Sequence, residues 1–435
     1  MAQHSQASAG EKTGARRLLP TTRSQVSGHR FMRRRVEHGL IYGDIRMIHD
    51  PLAARRRSAI FGVVAVALIA AGSGLFAWLR PNPDPGAAAI LRASDGAMYV
   101  RVGEVVHPVT NLTSARLIAG SAEEPQRVGK ERLADLPRGV PLGIAAAPAM
   151  FAPGDAGDAA WAACEDTGQA TGRVTVVAGE PLKELDDGDA VAVRQDGDEW
   201  LLTRAGRAKL PPAGEPRGRI IRRALGLDAH VARASLSAPV LSAVRELPPV
   251  GVPDPLPRLL VDEGAGEAWA VTQHGGIQPI SGLQKQLLID AGAPTSTTTP
   301  SEIAAYPDAQ EPVAINVPET EPEWIDPARQ AVCATEDGTV AVVPADSGQV
   351  GKGTVELSGA GPATHFVGLD AGAVGVDTGS GYHVVSASGQ RHLVDTRDTL
   401  DVVGALHVDE VPWSIISLLP EGAELTREAA LTATY

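Results

Sequence analysis

The string Asp346-Ser347-Gly348-Gln349-Val350-Gly351-Lys352-Gly353-Thr354 comes nearest to nucleotide chemistry. A P-loop sets a Gly, four residues, then Gly-Lys-Ser/Thr, so that backbone amides cradle phosphate and the hydroxyl meets magnesium. Here Asp346 stands where the leading Gly belongs, and Gly353 separates Lys352 from the Thr354 hydroxyl. Ala405-Leu406-His407-Val408-Asp409-Glu410 imitates a metal-binding acidic strand end, yet its partner loop is missing. Asp377-Thr378-Gly379 matches an aspartic-protease triplet, but that chemistry needs two carboxylates sharing a proton and no second triplet occurs. It takes the place that Ser94-Asp95-Gly96 takes earlier in the chain, and reads as a turn. The 11 histidines include no i, i+4 pair around a Glu and no Cys/His cluster, so no metal site is expected. No Gly-x-Ser-x-Gly elbow is present. No catalytic, cofactor or metal residue is assigned, and none of these strings implies a cofactor.

The elements that would carry such residues divide sharply. The run 59–79, AIFGVVAVALIAAGSGLFAWL, has 21 residues and no charge. As a helix it rises about 31 Å, enough to cross a hydrocarbon core of about 30 Å. Arg55, Arg56 and Arg57 border it on one side and Trp78 and Arg80 on the other, as interface anchors do. Residues 1–58 hold 12 Lys/Arg and 4 Asp/Glu, a net of +8; residues 80–435 hold 27 and 48, a net of −21. The positive-inside rule puts the N-terminus in the cytoplasm and the C-terminal region outside. A cleaved signal peptide fits less well, because the segment before the run is too long for an n-region. The expected protein is single-pass.

Residues 1–20 are polar and small. From Thr21 the string TTRSQVSGHRFMRRRVEHGL reads as a helix with Thr22 or Ser24 as N-cap. Val26, Phe31, Val36 and Leu40 form a partial apolar stripe, and Arg30, Arg33, Arg34 and Arg35 crowd the other faces. Such a helix suits anionic lipid or a membrane partner. With no base-reading motif, nucleic acid is not an expected partner.

Beyond the membrane run the chain resembles itself. Tyr99 precedes Pro108 by 9 residues and Trp269 precedes Pro279 by 10; Pro108 precedes Pro137 by 29 and Pro279 precedes Pro307 by 28. Trp200 with Leu210-Pro211, and Tyr382 with His392-Leu393-Val394, begin weaker copies. Each copy starts as strand, Gly turn and strand, a hairpin signature, before an apolar-periodic segment such as 115–119 or 286–291 that suggests a helix. The recurring aromatics Tyr99, Trp200, Trp269 and Tyr382 fit small module cores better than stacking on sugars. Between the copies, residues 161–177 with Cys164 and residues 329–343 with Cys333 are expected to meet in a central domain. An even pair of cysteines in an oxidising exterior forms a disulfide, with two buried free thiols as the alternative. Closing a loop of about 170 residues constrains the unfolded chain by roughly 4–5 kcal/mol in the entropy model.

The block 21–57, TTRSQVSGHRFMRRRVEHGLIYGDIRMIHDPLAARRR, followed directly by one membrane helix, resembles the cytoplasmic signature of the EccB family. EccB proteins are core subunits of actinobacterial type VII (ESX) secretion systems. The segment 98–120, MYVRVGEVVHPVTNLTSARLIAG, is similar to that family's stretch after the membrane helix. So are Trp161 and Cys164 with a distant Cys333, and the ending with Leu419-Pro420, Gly422 and Leu425. Many relatives extend into a Pro-rich tail, whereas this sequence ends at Tyr435.

The resemblance implies a single N-terminal transmembrane helix and an elongated, β-rich α+β periplasmic region, with four repeat modules around a central β domain. The expected division is 1–58 cytoplasmic tail and basic helix, 59–79 membrane helix, 80–150 first module, and 151–187 first part of the central domain. The second module is 188–250, the third 251–315, the second central part 316–358, and the fourth module 359–435. It also implies a structural role in an inner-membrane complex with EccC (the motor ATPase), EccD and EccE, with self-association, membrane lipids and peptidoglycan as further partners. The family carries an ATPase assignment, so ATP with magnesium is the alternative reading; a free-standing cell-wall-binding module is another.

Overall fold

The computed structural model describes residues 22–46, 51–79, 84, 86–168, 172–351 and 353–434. They fall into two compact units, one within 1–82 and one within 83–435.

In the first unit, helix Arg23–Tyr42 begins at Thr22, whose side chain accepts from the Gln25 amide while Gln25 reaches back to the Thr22 amide, a reciprocal capping box. Gly43, at φ 66°, ends it in the left-handed conformation that favours glycine. Val26, Phe31, Val36 and Leu40 stay exposed. Helix Pro51–Leu79 follows, 29 residues long. Its segment Arg55–Phe76 is long and apolar enough to cross a membrane.

The second unit is α+β and rich in strand. Four of its sheets share one plan. Three consecutive antiparallel strands form a meander, a helix returns the chain, and a short fourth strand joins the first in parallel. The strands are Ile90–Ala93, Met98–Val102, Val105–Val109 and Gln126–Val128; then Asp189–Gln195, Asp198–Thr203, Gly206–Lys209 and Arg233–Ser235. They recur as Arg258–Val261, Ala268–Val271, Ile277–Ile280 and Thr295–Thr297; then Val374–Asp377, Tyr382–Val385, Arg391–Val394 and Val408–Glu410. The return helices are Leu112–Ala119, Pro216–Ala224, Gly282–Asp290 and Arg397–Val403. Asn111, Ser281 and Thr396 cap three of them by accepting a backbone N–H; the fourth starts with Pro216 instead.

This plan accounts for the sequence spacings. Tyr99 sits opposite Pro108 and Trp269 opposite Pro279. Both prolines lie on the third strand of the meander, where a missing amide costs no ladder bond to the second. The outer side of that strand is not left open. Val106 donates to Pro137 O and Ile277 to Pro307 O, each at 2.9 Å, so the second proline of each spacing closes the edge. Arg391 donates likewise to Pro420 O at 3.1 Å.

A six-stranded sheet stands apart from the four. Its order is Val340–Pro344, Gln330–Thr335, Ala160–Asp166, Arg173–Gly179, His365–Gly368 and Val355–Glu356. The cysteine-bearing stretches, distant in sequence, are neighbours: Cys333 faces Cys164 in antiparallel register, and the two are disulfide-bonded across 169 residues. His365–Gly368 also belongs here, pairing with Arg173–Gly179 rather than with the strands after residue 373. Gly368, at φ 116°, passes so close to Ala178 O that a Cβ would collide with it.

One face of this sheet carries Cys164 and Cys333 among Ala162, Val177, Ala341 and Val343. The other joins a larger core of Trp161, Val176 and Phe366 with Val193 and Ala234 of the second meander sheet, Val376 of the fourth, and Ile415 of the short helix Trp413–Ile416 after it. The first and fourth sheets share a separate core through Leu117, Ile118, Leu400, Val403 and Ala430. Residues of the second and third meet around Ile221, Leu225 and Leu287. Ends of the unit remote in sequence are thus packed together.

Candidate functional site

Arg55, Arg56 and Arg57 are exposed at the start of the apolar helix segment, and Trp78 is 81% exposed at its end. Arg80 lies outside the described residues. The large apolar side chains from Ile60 to Leu75 are exposed, so among the described residues no protein core covers this stretch of the helix. A helix apolar all round without such a core calls for lipid or another helix.

The P-loop-like string has the wrong frame. Residues 345–351 form turns between the strands Val340–Pro344 and Val355–Glu356, and no helix begins there to present its amides to phosphate. Gly351 packs against Ala345 O and the Asp346 backbone, while Lys352 lies outside the described residues. Asp377-Thr378-Gly379 makes the hairpin turn, with the Gly379 amide donating to Asp377 Oδ1 at 2.8 Å. Of the aromatics, Trp200 is buried, with the Arg207 guanidinium 4.9 Å and the Lys209 ammonium 5.9 Å from its ring centre. Cations rather than open water cover its face.

The acidic strand end is where residues converge. Asp409 is 3% exposed and His407 8%. His407 Nε2 lies 2.9 Å from Asp409 Oδ1, and the Trp161 indole donates to Asp409 Oδ2 at 2.9 Å. Asp158, from the segment leading into the central sheet, brings its Oδ1 to 3.6 Å from the same His407 nitrogen. The Trp161 amide donates to Glu336 Oε2 at 2.9 Å. Burial pushes the Glu336 carboxyl above its usual range against that bond, and the charges of Asp337, Asp409 and Asp158 push the same way. The string 405–410 shows His407 and Asp409 together in the sequence, whereas Asp158 and Trp161 lie some 250 residues away and only sheet packing brings them in.

A second recurrence joins the first and fourth sheets. His107 Nδ1 is 2.9 Å from Val140 O, and His392 Nδ1 is 2.8 Å from Ala423 O. In each case the ring occupies the space that a Cβ on the preceding Gly139 or Gly422 would fill. Burial holds the His392 imidazole below its ordinary pKa.

Residues 18–258 and 256–434 match the sequence model of the family described as type VII secretion system ESX-1, transport TM domain B. The chain is 33% identical to the ESX-3 secretion system ATPase EccB3 of Mycolicibacterium smegmatis, over 95% of this chain and 90% of that one. It is 28% identical to the ESX-5 secretion system ATPase EccB5 of Mycobacterium tuberculosis, over 98% and 96%. Among solved structures it is similar to a chain of an intact ESX-5 inner membrane complex, with a TM-score of 0.67, 27% identity and 96% of each chain covered. It is also similar to a chain of the EccB3 dimer from the ESX-3 core complex, with a TM-score of 0.66, 28% identity, and 80% of this chain and 100% of that one covered. With both halves matched by one family and a relative a third identical along nearly its whole length, the chain belongs to the EccB family of the type VII secretion system.

Proposed function

We propose that this chain is a membrane-anchored structural subunit of an inner-membrane type VII (ESX) secretion complex that supports protein export across the cell envelope. The observation that carries this reading is its end-to-end likeness to a chain of the intact ESX-5 inner membrane complex. The helix Pro51–Leu79 is the anchor, with Arg55, Arg56, Arg57, Trp78 and Arg80 at the membrane interfaces and lipid headgroups around them. The net of +8 before it and −21 after it supports a cytoplasmic N-terminus and a periplasmic C-terminal unit. The common strand plan supports four repeat modules arranged around the six-stranded sheet. The EccB3 dimer supports self-association; EccC-, EccD- and EccE-type subunits are the proposed partners on the family resemblance.

The names of the relatives carry the word ATPase. Phosphoryl transfer needs amides and a Lys on the phosphates and a metal on the β/γ oxygens. The string around Lys352 offers turns where that cradle would stand, which favours the structural role. Complementation of a deletion strain separates the two. The wild-type chain and Lys352→Ala restore secretion of type VII substrates alike, while a chain lacking residues 51–79 restores none. Loss of secretion with Lys352→Ala at wild-type protein level would favour the enzyme.

A further inference from the structure

Asp158, His407 and Asp409 each offer one ligand atom, and the three atoms lie within 4.8 Å of one another. Ligands about 2.0–2.2 Å from a four-coordinate ion are about 3.3 Å apart. The distances from His407 Nε2, 2.9 Å to Asp409 Oδ1 and 3.6 Å to Asp158 Oδ1, bracket that value. The backbone presets this approach. Ala152 N donates to Ala373 O at 2.9 Å, and Gly154 passes so close to Leu406 that a Cβ would press on its side chain. The segment carrying Asp158 is therefore held beside the strand carrying Asp409.

Asp409 is oriented as a ligand would be. Trp161 occupies Oδ2 and leaves Oδ1 facing His407 and Asp158. Metal-bound carboxylates are commonly fixed in this way by a donor on the free oxygen. Among the described residues, no Lys or Arg forms an ion pair with Asp158 or Asp409. A nearly buried carboxylate facing a second one lacks a fixed cation.

We propose that Asp158, His407 and Asp409 form a divalent transition-metal site that clamps the strand Val408–Glu410 to the segment entering the central sheet. One imidazole nitrogen with two carboxylate oxygens suits Zn²⁺ or a similar ion, whereas Mg²⁺ and Ca²⁺ prefer all-oxygen sets. Asp158, whose side chain is 90% exposed, faces solvent, so water completes the coordination. The role is architectural, because the three ligands join two segments some 250 residues apart. In the metal-free protein the imidazole simply hydrogen-bonds Asp409.

The test uses the full-length chain in detergent, stripped with a chelator and dialysed against Zn²⁺. Metal content and the thermal unfolding midpoint are read beside those of Asp158→Asn. That substitution is at an exposed side chain, and circular dichroism confirms that the variant folds. The expected result is about one Zn²⁺ per chain, undisplaced by excess Mg²⁺ or Ca²⁺, a raised midpoint, and affinity about tenfold or more weaker in Asp158→Asn. A protein that holds no Zn²⁺ after dialysis overturns the proposal. So does a variant that binds as tightly as the wild type, because the ion then sits elsewhere.

Discussion

Trp161 ties the central sheet to the fourth meander sheet through its indole hydrogen bond to Asp409, while its backbone amide bonds Glu336 in the central sheet's own hairpin. Phe in its place fills most of the cavity but leaves Asp409 Oδ2 short of a donor in a buried place. Trp161→Phe should therefore destabilise the folded unit by about 1–3 kcal/mol. The urea midpoint measures it, and an unchanged midpoint would mean that water replaces the indole. A second residue-scale effect is pH. Burial lowers the pKa of His392, so the unfolded chain takes up a proton near pH 6.5 while the folded chain does not. Stability from this group is present above that pH and is lost as the pH falls below it. Denaturation of the wild type and His392→Gln at pH 7.5 and 5.5 should show a smaller loss in the variant; equal losses would assign the pH effect to other groups. At this scale little was legible in the sequence. His392 stood out only as part of a hairpin, because its partners Ala423 and Gly422 come from a segment that closes the sheet edge.

Elements were more legible, for local reasons. The uncharged run beside Arg55, Arg56 and Arg57 marks a helix by length and composition alone, and its helix extends further N-terminally, to Pro51. The aromatic-to-proline spacings reflect backbone register, since Tyr99 and Pro108 sit on adjacent antiparallel strands. Boundaries were harder. Residue 359 was expected to open the fourth module, yet His365–Gly368 pairs with Arg173–Gly179 in the central sheet. A strand of four residues carries no sign of which sheet it joins. The cysteines belong to this scale, because their bond joins two neighbouring strands of the central sheet. Alkylation of envelope-derived protein under denaturing, non-reducing conditions should label neither cysteine. Replacing both by Ala should lower stability by at most roughly 4–5 kcal/mol, the entropy of closing so long a loop. Labelling of both thiols would contradict the bond.

At the scale of the whole molecule, the second unit couples its two ends. Arg427 donates to Ile118 O at 3.2 Å, and Arg116 donates to Val403 O at 3.0 Å, so the first and last sheets depend on each other. Residues 1–58 carry a net of +8 and residues 80–435 a net of −21, the asymmetry that the proposed membrane-anchored role requires. Family membership was legible from the block 21–57 because that stretch is long and specific; the shared cores were not, since they arise from contacts some 300 residues apart. The most direct test is to tag the C-terminus, extract the membranes with mild detergent, and determine the size and composition of the purified particle. A membrane-anchored subunit is expected in a particle many times heavier than the 45.1 kDa chain, holding several copies of it with EccC-, EccD- and EccE-type subunits, and lost when residues 51–79 are deleted. Recovery of the chain as a lone 45.1 kDa species from intact, secreting cells would contradict it.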